Sequence, residues 1–202
     1  AISRAVRIPS RFHDGANLNV TTIPAVPPAL NSVVRVNGST KLKSEELLAY
    51  ELGYKVIVVT NQSGITRGYY TIEDLDNIHK KMSEQLAAGK AFTDAIYFSP
   101  YHLEGTIEPY NIHHEDRKPG LGMFRKALQE FNLDIKKSFM VGDRYSDVAF
   151  GKKAGLKTIL VRTGFGEKEF LQNRKKRALK PDFVVKNLLS AANLIMEFGD
   201  KL

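Results

Sequence analysis

Two aspartates four residues apart, Asp143 and Asp147, follow directly on the apolar run Phe139-Met140-Val141-Gly142. A strand that stops at Gly-Asp and gains a second acid one helical turn later carries two carboxylates at its C-terminal end. In open α/β sheets that edge is where ligands bind. Two hard oxygen groups on one short turn suit a cation such as magnesium. Upstream, Val56-Ile57-Val58-Val59 ends in Thr60-Asn61-Gln62-Ser63-Gly64, and Arg117-Lys118-Pro119 opens a later helix. Hydroxyl and amide, then lysine, then an acidic pair, each at an element boundary, is the set of groups that a phosphoryl-transfer site needs. Each group alone also has an ordinary reading. Thr-Asn after a strand forms hydroxyl and Asx turns, a lysine before proline is often a solvated loop charge, and Asp143 can cap a helix.

The elements that must hold these groups are legible from apolar periodicity. Val56–Val59, Ala95–Phe98, Phe139–Val141, Thr158–Val161 and Phe183–Val185 read as short, fully buried strands of a parallel sheet. Between them, helices are predicted over Thr71–Ala88, Gly120–Phe131, Ser146–Ala154 and Asn187–Phe198. Thr71 followed by Asp74 is a capping-box-like start, and Leu75, Ile78, Met82 and Leu86 then recur at helical spacing. His79 on that helix reads as a packed or surface residue. The alternation predicts an α/β domain, doubly wound and Rossmann-like, with a mainly parallel sheet and helices on both faces.

The first forty residues fit this scheme less well. Ala5–Ile8 and Val33–Val36 are β-like, Pro24, Pro27 and Pro28 interrupt, and Asn37-Gly38 marks a turn. Ser44–Leu52 reads as the helix feeding the Val56 strand. The chain is expected to be a single domain over residues 1–202 with an atypical N-terminal segment at 1–40. Neither Asp14 to Thr60 nor Thr60 to Lys118 leaves room for a separate cap domain. The site should therefore be open, with specificity set by the loops Ile65–Tyr70 and Ser99–Asp116.

At 202 residues, with 43% hydrophobic and 26% charged residues, the composition is that of an ordinary globular domain. No membrane span or leader is read in it, and a cytoplasmic location is expected. The absence of cysteine excludes disulfides and thiolate metal sites. A net charge of +8 favours anionic partners. Part of that excess lies in Arg174-Lys175-Lys176-Arg177, which reads as a solvated helix end. No aromatic residues interleave with it, as a nucleic-acid stacking surface would require.

Several segments together resemble the haloacid dehalogenase-like phosphatase superfamily, in the branch of heptose bisphosphate and histidinol-phosphate phosphatases. Gly53 to Ile65 with Arg67-Gly68 looks like the branch's second motif, and Tyr97 to His102 with Glu104-Gly105 like its substrate loop. Arg117-Lys118-Pro119-Gly120 with Met123 is similar to its third motif. Met140 through Asp147, then Ala154-Gly155 and Val161-Arg162-Thr163-Gly164, is similar to its fourth.

The resemblance implies a magnesium-dependent phosphatase that works through an aspartyl phosphate. It implies that Thr60 and Asn61 bond phosphoryl oxygens, that Lys118 neutralises phosphate and nucleophile, and that Asp143 binds magnesium with Asp147 assisting. Gln62, Ser63, Arg67, His102, Arg117 and Arg144 would hold the substrate, the arginine forks suiting a second phosphate. A heptose bisphosphate is the leading substrate and histidinol phosphate the second. The 3′-phosphate end of DNA and a binding-only pseudophosphatase are the alternatives. The partner is thus a small phosphorylated metabolite rather than nucleic acid or membrane, bound by a monomer or small homo-oligomer.

Two departures accompany the resemblance. The family's first motif is Asp-x-Asp-Gly, and the nearest segment here is Phe12-His13-Asp14-Gly15. Asp14 then takes the acid/base position while Phe12 stands at the nucleophile's. Asp14 is the one acidic residue before Glu45, so any N-terminal nucleophile or magnesium carboxylate is Asp14. Three explanations compete: a pseudophosphatase, slow catalysis by Asp14 alone, or a sequence over residues 7–40 that is not faithfully recorded. The third is preferred, because Thr60, Lys118 and Asp143 are all kept. The second departure concerns zinc. Many members carry a Cys/His zinc site at the substrate loop, where this chain has Ser99, Tyr101, His114 and Asp116. His102, His113, His114 and Asp116 offer an N/O alternative, but a metal-free polar loop is the favoured expectation.

Overall fold

In the computed structural model the described residues are 20–24, 54–174 and 179–198. Among these residues six strands form one sheet in the order β3-β2-β1-β4-β5-β6, namely β1 Val20–Pro24, β2 Tyr54–Asn61, β3 Ala95–Ser99, β4 Phe139–Gly142, β5 Lys157–Val161 and β6 Phe183–Val185. β2–β3, β4–β5 and β5–β6 pair in parallel. The registers Asn61↔Ser99 and Gly142↔Leu160 show that paired parallel strands end together, building the C-terminal edge that the motifs require.

β1 was not foreseen. It lies between β2 and β4 and is antiparallel to both, with Val20 opposite Val58 and Thr21 opposite Met140. Two threonines and a terminal proline give it little strand signal of its own. Its pairing comes from two flanking strands, a case of tertiary context overriding local propensity. The predicted elements Ala5–Ile8, Val33–Val36 and Ser44–Leu52 lie outside the described residues.

Five helices complete the described fold: α1 Ile72–Ala88, α2 Gly122–Glu130, α3 Tyr145–Ala154, α4 Gly166–Asn173 and α5 Leu188–Phe198. Because successive strand side chains point to opposite faces, the sheet carries two cores. Ile57, Val59 and Met140 pack with Met123, Phe124 and Ala127 of α2 and Phe150 and Ala154 of α3. Val56, Phe139, Val141, Ile159 and Val161 pack with Ala191 and Ile195 of α5. Fully burying one such side chain contributes about 1.5–3 kcal/mol, so these clusters hold the edge rigid.

Two expectations need correction. β3 and β6 are half-buried rather than fully buried, with Val184 exposed, because they form the two margins of the sheet. Helix α4 was read only through its end at Arg174 and not as an element. It is short and has no capping side chain. Its start is instead fixed by Gly166, where an added Cβ would lie 1.7 Å from the Val161 carbonyl oxygen.

The capping box of α1 is present as read: the Asp74 N–H donates to Thr71 Oγ1 at 3.1 Å, and the Thr71 N–H to Asp74 Oδ2 at 2.8 Å. Leu75 and His79 are buried on its inner face, with Ile78, Met82 and Leu86 half-buried. Thr71→Ala is expected to cost about 1 kcal/mol, seen as a lowered urea midpoint with unchanged ligand binding. An unchanged midpoint would mean that the box is idle.

Candidate active site

Lys118 is the centre of the charged cluster. Its side chain is almost wholly buried, and Nζ lies 2.9 Å from Asp147 Oδ1 while donating to the Val59 carbonyl at 2.6 Å. Asp147 is held equally firmly. It sits in the first turn of α3, and its Oδ2 accepts the Arg144 N–H at 3.0 Å. A carboxylate there also gains from the helix dipole. Gly142 makes room, since a Cβ at that position would fall 2.4 Å from Asp147 Oδ2. Both oxygens of Asp147 are therefore engaged by protein donors, one of them the lysine.

Asn61 places the lysine. Its Oδ1 accepts the Lys118 N–H at 2.9 Å, and its Nδ2 donates to the Lys118 carbonyl at 3.2 Å. This two-point clamp across the sheet edge occupies the side-chain amide, which the sequence had directed to phosphoryl oxygens. Thr60, fully buried, accepts from Gln62 Nε2 at 3.1 Å, and Gln62 Oε1 accepts from the Tyr70 hydroxyl. Tyr70 is a supporting residue that the sequence reading had not singled out.

Asp143 differs from Asp147 in one decisive way. Its Oδ2 accepts the Phe165 N–H at 3.0 Å, but its Oδ1 is buried with no hydrogen-bond partner. Burial pushes its pKa above the ordinary carboxylate value, and the nearby Asp147 charge adds to the rise. Gly164, at φ +62°, closes over it: a Cβ there would lie 2.3 Å from Asp143 Oδ2. Glycine alone adopts this conformation freely. A buried carboxylate oxygen without a donor is costly, and a bound cation is what would satisfy it. The residues present thus fit magnesium, with Asp143 Oδ1 as the open ligand. Asp14, the third expected ligand, lies outside the described residues, as does Phe12.

A second group of cations stands beside this cluster. Arg117 Nη1 donates to the Tyr101 carbonyl at 3.1 Å. Its pKa is lowered by burial and by the charges of Arg67 and Arg144. Arg67 is set by the turn containing Ser63, whose carbonyl accepts the Arg67 N–H at 3.2 Å. Its Nη2 reaches exposed Glu104 only at 3.5 Å, and its Nε is buried with no partner. Arg144 lies over the Phe165 ring at 3.7 Å. His102 Nδ1 accepts the Glu104 N–H at 3.1 Å, which leaves Nε2 as the donor of the neutral ring. Burial, Arg117 and Arg67 all depress the His102 pKa. Three guanidiniums and an imidazole N–H in one place form a site for an anion.

The zinc alternative finds no donor set. His114 stacks on Tyr101, Asp116 pairs with Lys126 at 2.7 Å, and His113 is exposed. Among the described residues no group of three or more histidines or acids is arranged to hold a metal.

The chain is similar to known proteins along most of its described length. The HAD-hydrolase-like family model matches residues 116–191, from the lysine loop through α3 into α5. The D-glycero-D-manno-heptose-1,7-bisphosphate 7-phosphatase of Chlorobaculum tepidum is 34% identical over 149 residues, covering 71% of this chain and 73% of that protein. The D-glycero-beta-D-manno-heptose-1,7-bisphosphate 7-phosphatase of Pasteurella multocida is 39% identical over 145 residues, covering 71% and 75%. The crystal structure of D,D-heptose 1,7-bisphosphate phosphatase from B. bronchiseptica, complexed with magnesium and phosphate, superposes with a TM-score of 0.64 at 27% identity. That superposition covers 83% of this chain and 94% of the other.

Proposed function

The chain belongs to the haloacid dehalogenase-like phosphatases, in their heptose bisphosphate branch, and from that we propose the reaction it performs. It is a magnesium-dependent hydrolase that removes the 7-phosphate of D-glycero-D-manno-heptose 1,7-bisphosphate, in carbohydrate metabolism of the cytoplasm. The observation that carries this reading is the pairing of a buried lysine–aspartate ion pair with a second buried aspartate whose Oδ1 has no donor.

Each residue then has a task. Lys118, neutralised at rest by Asp147, presents positive charge to the phosphoryl group as it becomes more anionic in transit. The Thr60 hydroxyl supports a phosphoryl oxygen, and Asn61 acts through Lys118, whose backbone it fixes. Asp143 would hold magnesium, which when bound draws charge from the phosphoryl oxygens. Asp14 is the carboxylate assigned to nucleophilic or acid–base work. Arg67, Arg117, Arg144 and His102 grip the phosphate that stays, while Gln62 and Ser63 shape the turn below them.

Phosphate release with and without magnesium tests this reading, using heptose 1,7-bisphosphate, histidinol phosphate and a 3′-phosphorylated oligonucleotide. Magnesium-dependent turnover fastest on the bisphosphate is expected. Preference for either other substrate would overturn the assignment. Phe12 at the nucleophile's aligned position gives the binding-only reading its one specific support. Saturable binding of the bisphosphate with no release would establish that reading instead. An intact mass equal to that of the stated sequence would in turn remove the idea that residues 7–40 are not faithfully recorded.

A further inference from the structure

The loop between β3 and α2 contains aromatic contacts that no step of this reaction uses. Tyr101 lies flat on His114, with ring centroids 3.9 Å apart and planes at 17°, and meets Tyr110 edge-on at 5.8 Å. His114 Nδ1 accepts the Asp116 N–H at 3.1 Å. Asp116 is buried and pairs with Lys126 of α2 at 2.7 Å. At the other end of this chain of contacts, the Tyr101 carbonyl accepts from Arg117 Nη1. The path is continuous: α2 holds Asp116, Asp116 holds His114, His114 holds the Tyr101 ring, and Tyr101 holds the guanidinium. The loop is closed a second time where the His102 N–H donates to the Tyr110 carbonyl at 3.1 Å, bringing His102 to the same pocket.

An arginine fork aimed in advance gives up less freedom on meeting an anion than a free one. Arg117 Nη1 is committed to the Tyr101 carbonyl, so where the stack holds residue 101 sets where the rest of the fork lies. Lys118, by contrast, takes its bonds from Asn61, Val59 and Asp147 rather than from the stack. The two neighbouring anion-binding side chains are therefore aimed by different partners, although Asn61 grips the peptide that joins them.

We propose that the Tyr101–His114 stack is the positioning element of the pocket for the unreacted phosphate, and that it sets the preference for a sugar bisphosphate over a monophosphate. This rests on the substrate reading above. Tyr101 and His114 act through Arg117 and do not touch the reacting atoms. A stack that merely stiffened the loop would, when lost, weaken all phosphate ligands alike.

Calorimetric binding separates these cases, with calcium replacing magnesium to suppress turnover. The ligands are heptose 1,7-bisphosphate, heptose 7-phosphate and inorganic phosphate. In Tyr101→Leu and His114→Ala, bisphosphate affinity should fall about fivefold to tenfold, the scale of one lost aromatic pair. Affinity for the 7-phosphate and inorganic phosphate should stay unchanged, and Tyr101→Phe should match the parent. Equal losses for all three ligands would overturn the inference, as would an unchanged bisphosphate affinity in either folded variant. Should circular dichroism show Tyr101→Leu unfolded, His114→Ala decides by the same ratio; unfolding of both would make the stack structural and overturn the inference. A parent protein that binds bisphosphate no better than 7-phosphate would overturn the substrate reading itself, a failure visible before any variant is made.

Discussion

Asp143→Asn is expected to lower magnesium-dependent phosphate release by about 10³-fold, the scale of losing a transition-state charge stabiliser, while the metal-free fold becomes at least as stable as the parent. The two effects share one cause. Asp143 is buried and one of its oxygens has no donor, so without a cation its charge is a cost to the folded state. The direction of its pKa says the same. A carboxyl raised above its unfolded value stabilises the fold when protonated, below its unfolded pKa near 3.8, and that contribution is lost as pH rises through the folded value. At neutral pH the metal-free parent therefore carries the cost, and the amide removes it. Asparagine keeps an oxygen to accept the Phe165 N–H but turns an uncharged NH2 group, not an anionic oxygen, toward magnesium. Thermal unfolding reads both halves. Magnesium at a hundred times its Kd should stabilise the parent by about 2.7 kcal/mol by mass action and leave Asp143→Asn unmoved. If magnesium raised the melting temperature of both proteins equally, Asp143 would not be its ligand.

That the site was legible at all follows from where its residues sit. Thr60, Lys118, Asp143 and Asp147 each lie just past the end of an apolar run or at the start of a helix, and such boundaries are visible in one dimension. All five strands predicted from Val56 onward are present within two residues at each end, because continuous β-branched runs between turns have few other readings. The partners that act across the chain were not legible. Asn61 and Lys118 are 57 residues apart, and no local pattern says that an amide will be used on a distant peptide rather than on a ligand. Tyr101 and His114 were noticed only as positions where relatives carry zinc ligands, and their mutual stacking shows only in three dimensions. Gly164 stood in the sequence only as part of a resemblance, since its need arises from the Asp143 carboxylate packed against it. β1 fails for the complementary reason: its order comes from its neighbours, and its own residues carry little signal.

The largest effect on stability should come from Lys118→Met, with loss of phosphate release alongside it. Methionine matches the length of the lysine stem but takes from Asp147, whose side chain is 1% exposed, the buried positive charge that lies 2.9 Å from it. Breaking a buried pair in this way typically costs about 3–5 kcal/mol. At roughly 2–4 °C per kcal/mol for a chain of this size, the melting temperature should drop by on the order of 10 °C. The pair itself need not be stabilising, since burying two charges is expensive and well-packed apolar replacements are often tolerated. A second substitution separates the two contributions. Lys118→Met with Asp147→Leu should recover much of the lost stability, because it removes the orphaned charge, yet recover none of the activity. Such coupling between contacting residues is what a double-mutant cycle measures. Recovery of stability without function would assign the ion pair to the chemistry, kept at a cost to the fold. A double variant as unstable as Lys118→Met alone would instead place the lysine's main role in its 2.6 Å bond to the Val59 carbonyl and the packing of its stem.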